Sequence, residues 1–316
     1  MMKSMSFRRA IYGLIALAAV AVAARACSIP VFRYALERWE LSPYEILVFS
    51  KGPLDADERA WLDRSGKGPP SGNFRIETID VTKDVPKRYK AFFDAHAKNQ
   101  TLPWAAARLN DADAKEPPAW SGPYVRKSLS ALMASPVRSK IVDKLKAGET
   151  AVFLILQSGD EAADKSAHDL LARELARLEK SVKLPTPSDE GPQIRTAVPL
   201  KVSFAIMPLR RDDPAEQEFV KIVMSTEEDL DQAKGPIVLP VFGRGRLLCS
   251  MFGDDINATQ LANVGKFLCG ECSCQVKELN PGVDLLIAAD WHSILDQAGP
   301  AANPRPDTPA PKRKIK

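Results

Sequence analysis

Two kinds of apolar pattern alternate along this chain, short strand-like segments and stripes at helical spacing. In the first half, residues 44–50, 74–80 and 104–109 have the length and the β-branched or aromatic content of buried strands. Stripes at 55–65 and 86–98 predict helices between them, and a longer one over 127–146, stopped by Gly148, closes the half. Ahead of these elements, Val31, Ala35 and Trp39 share one helical face, with Pro30 tolerated in the first turn. That short helix is expected to pack on the first half, which directly follows it.

The same programme then runs again. Strands at 151–157 and 202–208 alternate with helices at 164–182 and 215–224. Gly235-Pro236 opens a strand at 237–242, Gly243-Arg244-Gly245 reverses the chain, and 247–252 returns beside it before a last helix at 257–268. The halves share no evident residue identity, so the repeat is one of pattern. Beyond it, 272–279 and 283–290, joined by Asn280-Pro281-Gly282, predict an added C-terminal β-hairpin. The plan is thus a leader at 1–26, a helix within 27–43, α/β domains at 44–148 and 149–295, and a proline-rich, disordered tail at 296–316.

Composition agrees with two cores, because the 316 residues are 45% hydrophobic. Charge narrows the partners: 44 basic against 40 acidic residues leave a formal +4, too weak a field for general phosphate-backbone binding. Nucleic acid is therefore not an expected partner. The basic end, Lys312-Arg313-Lys314-Ile315-Lys316, suits either plain solvation or contact with acidic envelope polymer or lipid head groups.

The N-terminus carries Lys3, Arg8 and Arg9, then an apolar stretch over 10–24, then Ala24-Arg25-Ala26 before Cys27. This is the order of a secretory signal, and the stretch is shorter than the ~20 apolar residues of a usual membrane span. A cysteine at the cleavage point resembles the lipobox of bacterial lipoproteins, which implies lipid attachment at Cys27. Two positions depart from such boxes, Ala24 where leucine is usual and Arg25 where a small residue is usual. Lipid attachment, simple cleavage and an uncleaved anchor stay open, all three placing the chain in the periplasm or on a membrane.

Strand-helix-strand-helix, followed by proline, a strand pair and a helix, resembles the thioredoxin-like fold. That family places a cis-proline before its third strand, and Pro103 and Pro236 stand at this position. Members that exchange disulfides carry Cys-x-x-Cys at the start of the first helix, whose N-terminus lowers the thiol pKa. Here those loops read Ser50-Lys51-Gly52-Pro53-Leu54 and Ser158-Gly159-Asp160-Glu161, without a cysteine. The resemblance therefore implies two tandem non-catalytic domains, like those of protein disulfide isomerases and calsequestrin. Such units bind or scaffold and need no cofactor.

The remaining chemistry gathers in Cys269-Gly270-Glu271-Cys272-Ser273-Cys274, with Cys249 on the preceding strand. If Cys27 carries lipid, four cysteines remain, and an oxidising compartment favours two disulfides. Cys272 and Cys274 would lie ~6.6 Å apart on one strand face, near the bridging limit, so Cys269 is expected to take one and Cys249 the other. Two rival readings use the same thiols: a redox-active pair, or a zinc or soft-metal site formed by Cys269, Cys272, Cys274 and His292.

Elsewhere His96 and His168 fall within predicted helices as packed or exposed side chains. The cluster Glu227, Glu228, Asp229 and Asp231 could ligate calcium, but Ser225 with Glu228 reads more simply as a helix capping box. No phosphate loop, nucleophile elbow or zinc helix motif occurs in the sequence. The expected function is an exported, non-catalytic binder or scaffold for an envelope protein or polymer. The alternative is a thiol-disulfide or metal-handling protein that uses the cysteine cluster. Lipid attachment predicts that Cys27→Ala shifts the protein from membranes into the soluble fraction of detergent-free envelopes; unchanged membrane association would rule the lipid out.

Overall fold

The computed structural model describes residues 27–67, 72–186, 191–272 and 276–301, so the leader, Cys274 and the basic end lie outside the described residues. The chain enters through a short strand, β1 (Cys27–Pro30), and a two-turn helix, α1 (Val31–Arg38). All of 31–37 is buried, which a helix with a single apolar stripe does not achieve. Its two buried charges, Arg33 and Glu37, lie one turn apart and pair at 2.9 Å.

β2 (Tyr44–Ser50) is buried along its whole length and forms the centre of the first sheet. After α2 (Ala56–Lys67) the chain returns as β3 (Phe74–Asp80), parallel to β2 in register from Tyr44 opposite Phe74 to Ser50 opposite Asp80. α3 (Lys87–Phe92) runs on as a π-helical turn over Phe93–Ala97 and leads to β4 (Trp104–Leu109), antiparallel on the other side of β2. An unforeseen strand, β5 (Trp120–Pro123), completes the order β3-β2-β4-β5.

The helix expected over 127–146 is two helices, α4 (Arg126–Met133) and α5 (Pro136–Lys146). Pro136 forces the residue before it out of the helical region, and Ser135 becomes an extended N-cap that accepts from the Arg138 N–H.

In the second half β6 (Ala151–Gln157) takes the central place. α6 (Glu161–Ser181) connects it to the parallel strand β7 (Phe204–Arg210), and α7 (Gln217–Met224) leads to the antiparallel β8 (Ile237–Phe242). Gly243 and Gly245, both at positive φ, turn the chain into β9 (Arg246–Leu247). A Cβ on Gly243 would stand 2.9 Å from that of Ala35, so the tight turn is also what lets α1 lie against it. The return strand expected over 247–252 is interrupted: residues 248–250 bulge before β10 (Met251–Phe252) rejoins β8. The order β7-β6-β8-β9 thus repeats the first sheet's relation of second, first, third and fourth strands.

Beyond α8 (Ala258–Cys269) the structure corrects the expected hairpin. β11 (Glu271–Cys272) pairs with β1, and β12 (Val283–Asp284) pairs with β9, with a 3-10 turn at Lys277–Leu279 between them. Residues 285–287 are buried but leave the sheet: Leu285 N–H donates to Gly245 O, Leu286 O accepts from Arg138, and other backbone groups there are met by Asn73. Its side chain donates to Leu285 O at 3.0 Å and accepts from Ile287 N at 2.8 Å. A further helix, α9 (Trp291–Ala298), follows, and Ala301 N–H donates to Arg195 O, so the tail expected from 296 is ordered as far as 301.

Three other expectations change. α1 packs on the second half rather than the first: Phe32, Tyr34 and Trp39 share an apolar cluster with Phe153, Leu171, Phe242 and Leu268. Of the two prolines, the Leu102-Pro103 bond is cis, whereas Gly235-Pro236 keeps the trans form, Gly235 standing in open space with its carbonyl accepting from Arg211. Ser225 ends α7 instead of starting a helix, and its hydroxyl donates back to Ile222 O at 2.8 Å.

The interior is continuous between the halves. Ile46 and Ala105 of the first sheet, Leu132 and Ile141 of α4 and α5, and Leu154 and Leu239 of the second sheet belong to one cluster. Inside it sits Arg138, 3% exposed, which donates to Leu286 O (2.8 Å), Ala131 O (2.8 Å), Leu132 O (2.7 Å) and Ser135 Oγ (3.2 Å) and lies over the Phe219 ring. Burial pushes its pKa down to about 10, so it stays a cation at neutral pH. Arg138→Met would strand those acceptors at about 1–3 kcal/mol each, and a loss of ~3 kcal/mol or more in urea unfolding is expected. An unchanged midpoint would show that the carbonyls find other donors.

Candidate functional site

Parallel strands leave their C-terminal ends side by side, and the crevice there is where open α/β sheets bind ligands. β6 and β7 end at Gln157 and Arg210, next to the start of α6, and a cleft of about 640 Å³ opens between them. Ile155 and Pro208 form part of its wall, with Ser158, Lys165, His168, Arg210 and Arg211 among its polar lining. Arg211 donates to Gln157 O at 3.2 Å and so ties itself to the end of β6. Arg210 spends two donors on Asp212, at 2.9 and 2.8 Å, and this bonding holds the Asp212 carboxyl below its usual range. His168 is a rim residue, half-exposed, with Nδ1 3.6 Å from Asp169.

The loop at the head of α6 occupies the place where the family resemblance would put a cysteine pair. Its backbone is already bound by the chain itself. Asp164 accepts from Ser158 N–H at 2.8 Å, Ser158 Oγ at 2.9 Å and Gly159 N–H at 3.1 Å. Asp160 accepts from the N–H groups of Ala162 and Ala163, both at 3.0 Å. Two carboxylates therefore occupy the donors and the positive dipole end that would otherwise activate a thiol or hold a phosphate.

The first half uses a related device with a different source. Asp80, at the end of β3, reaches across to Gly52 N–H at 2.9 Å and binds Thr82 through N–H (3.0 Å) and hydroxyl (2.6 Å). Thr82 is the main reason its carboxyl sits below the usual range. At the head of α2, Asp55 accepts from Glu58 N–H at 2.8 Å.

The cysteines do not assemble as expected. Cys249 lies in the bulge before β10 and Cys269 ends α8, and both carry free thiols, so the bridges expected from them are not formed. The cause is topological, since β11 leaves to pair with β1 and its Cys272 stands opposite Cys27 in the backbone register. Burial pushes Cys249 up to about 11, with Glu227 and Asp255 adding to it, and burial alone pushes Cys269 up to about 12. The end of a helix is also its negative pole, which disfavours a thiolate at Cys269.

His292 lies apart from these thiols in its contacts, 3.5 Å from Glu40 and beside Arg244. Among the described residues no group of three or more His, Cys, Asp or Glu side chains is placed to hold a metal ion. In the acidic cluster, Glu227 accepts from Ser250 N–H at 3.1 Å, and Leu230 buries a 3-10 turn. His96 contacts Ala114 O at 3.1 Å and packs against Phe92.

Compared with known proteins, the chain matches no family model, no curated protein and no solved structure. Among the described residues no helix is long and apolar enough to cross a membrane.

Sequence reasoning picked out the loop at 158–161 but not Asp80, Asp164, Arg210 or Arg211. An aspartate one turn into a helix after Ser-Gly-Asp was the available signal for Asp164. In native protein Cys249 and Cys269 are expected to react slowly with thiol reagents at pH 8, at a rate rising about tenfold per pH unit, and fully once denatured. Fast native labelling at either position would contradict their burial.

Proposed function

We propose that this is an exported, non-catalytic binding protein of two thioredoxin-like units, whose cleft after β6 and β7 receives a segment of an envelope partner, protein or polymer. The observation that carries the reading is the self-capped loop: Asp160 occupies the first N–H groups of helix α6 and Asp164 those of the loop before it, where disulfide chemistry would need a thiol. The strand order, alike in both sheets, supports the two-unit description.

The cleft suits binding because its apolar wall meets charges of both signs, Lys165, Arg210, Glu161 and Asp212, with Arg210 paired to Asp212 and Lys165 to Asp169. Such a surface matches mixed polar segments better than a simple anion. Raised thiol pKa values at Cys249 and Cys269 weigh against the thiol-exchange alternative. Attachment to the membrane through lipid on Cys27 or through the uncleaved leader belongs to the same proposal.

A photo-crosslinking residue at His168, on the cleft rim, is expected to trap a discrete partner in intact envelopes. The same residue at the exposed Lys144 is expected to trap none. Equal capture at both positions, or capture at neither, would refute the cleft as the binding surface.

A further inference from the structure

Away from that cleft, a second cavity of about 210 Å³ is bounded by Glu40, Leu41, Asn73, Arg244, Trp291 and His292. A neighbouring one of about 400 Å³ shares Arg244 and His292 and extends past Arg195 and Asp296. Arg244 projects from the turn between β8 and β9 and is 4% exposed. Its Nε donates to Leu36 O at 2.9 Å and its Nη2 to Glu37 O at 3.1 Å, so two of its three nitrogens cap the end of α1.

The third nitrogen is different. Nη1 makes no hydrogen bond of normal geometry, although Glu40 Oε2 approaches to 2.6 Å as an ion pair. Trp291, also 4% exposed, has a buried indole N–H without an acceptor. Two residues with such buried donors thus line one small cavity, and among the described residues the acid paired with Arg244 belongs to a side chain that is 62% exposed. Of the other acidic groups, Asp296 lines the neighbouring cavity, and the two closest in sequence to the site have partners. Asp290 caps Ser293 N–H at 3.0 Å, and Glu37 is held by Arg33, Arg38 and the N–H groups of Arg195 and Thr196.

The walls are fixed while the acid is not. Asn73 uses its side chain on Ser42 O, Leu285 O and Ile287 N–H, and the backbone of Glu40 is held by Lys277. The Glu40 side chain, 62% exposed and tied to Arg244 and His292 only by ion-pair contacts among the described residues, can leave without moving the main chain. We infer that this cavity is a recognition site for a small organic carboxylate, in which Glu40 stands in for the ligand and an incoming carboxylate displaces it from Arg244 Nη1. His292, 76% exposed at the mouth, adds an adjustable donor, and Leu41 offers apolar contact to a short alkyl chain.

The test uses the full chain, with butyrate as the probe and butyramide as its uncharged isostere. Calorimetric titration is run on the wild type and on Glu40→Gln, and the indole N–H resonance of Trp291, assigned through Trp291→Phe, is followed in parallel. Glu40→Gln is expected to bind butyrate at least tenfold more tightly than the wild type, with a shift of that resonance and no response to butyramide. Circular dichroism checks that the exposed substitution leaves the fold intact. No butyrate binding by either protein, equal affinity in both, or equal response to the amide would each overturn the assignment.

Discussion

Burying Arg138 in an apolar interior obliges the chain to surround it with oxygen. A guanidinium has five N–H donors and no acceptor, and stranding them costs several kilocalories per mole. The structure meets that demand by ending α4 early, so that Ala131 O and Leu132 O are open, by placing Ser135 at the head of α5, and by bringing Leu286 O in from the far end of the sequence. Its partners lie up to 148 residues from it in sequence. The break between the two helices, the path of residues 285–287 and the contact with Phe219 of α7 are therefore parts of one arrangement.

The same economy governs the loops that follow the parallel strands. Backbone amides at a helix start attract anions, and here the chain supplies its own, Asp160 in one half and Asp55 in the other, while Asp164 and Asp80 hold amides of the loops just before. A loop filled in this way has those amides already paired within the chain. What remains available to a partner is the shape of the cleft and the charged side chains on its rim. Glu40 extends this pattern of internal carboxylates to Arg244, but from an exposed side chain and without a committed hydrogen bond.

Strands buried on both faces were legible because their sequence alone carries the signal: β2, β4, β6 and β8 are near-continuous apolar runs with the bounds expected for them. β5 is four residues, one of them glycine, and has no such run. At 272–290 Gly282 has the positive φ that suits a turn, but no hairpin forms about it, because local pattern does not say which distant edge a strand will join. β11 and β12 found different ones. The absence of cysteine from the loop at 158–161 could be read directly, whereas the setting of Arg244 and Trp291 depends on segments some 200 residues apart in sequence and could not.

The crossing of the two ends has a consequence for the order in which the chain can mature. α1 is made first yet buries its face against Phe153, Phe242 and Leu268, and the first sheet waits for residues 285–287 to cover Asn73 and Tyr44. A chain emerging N-terminus first cannot complete either half until nearly all of it is available. Such a polypeptide stays open for most of its synthesis, and closes like a clasp only when its last helix arrives.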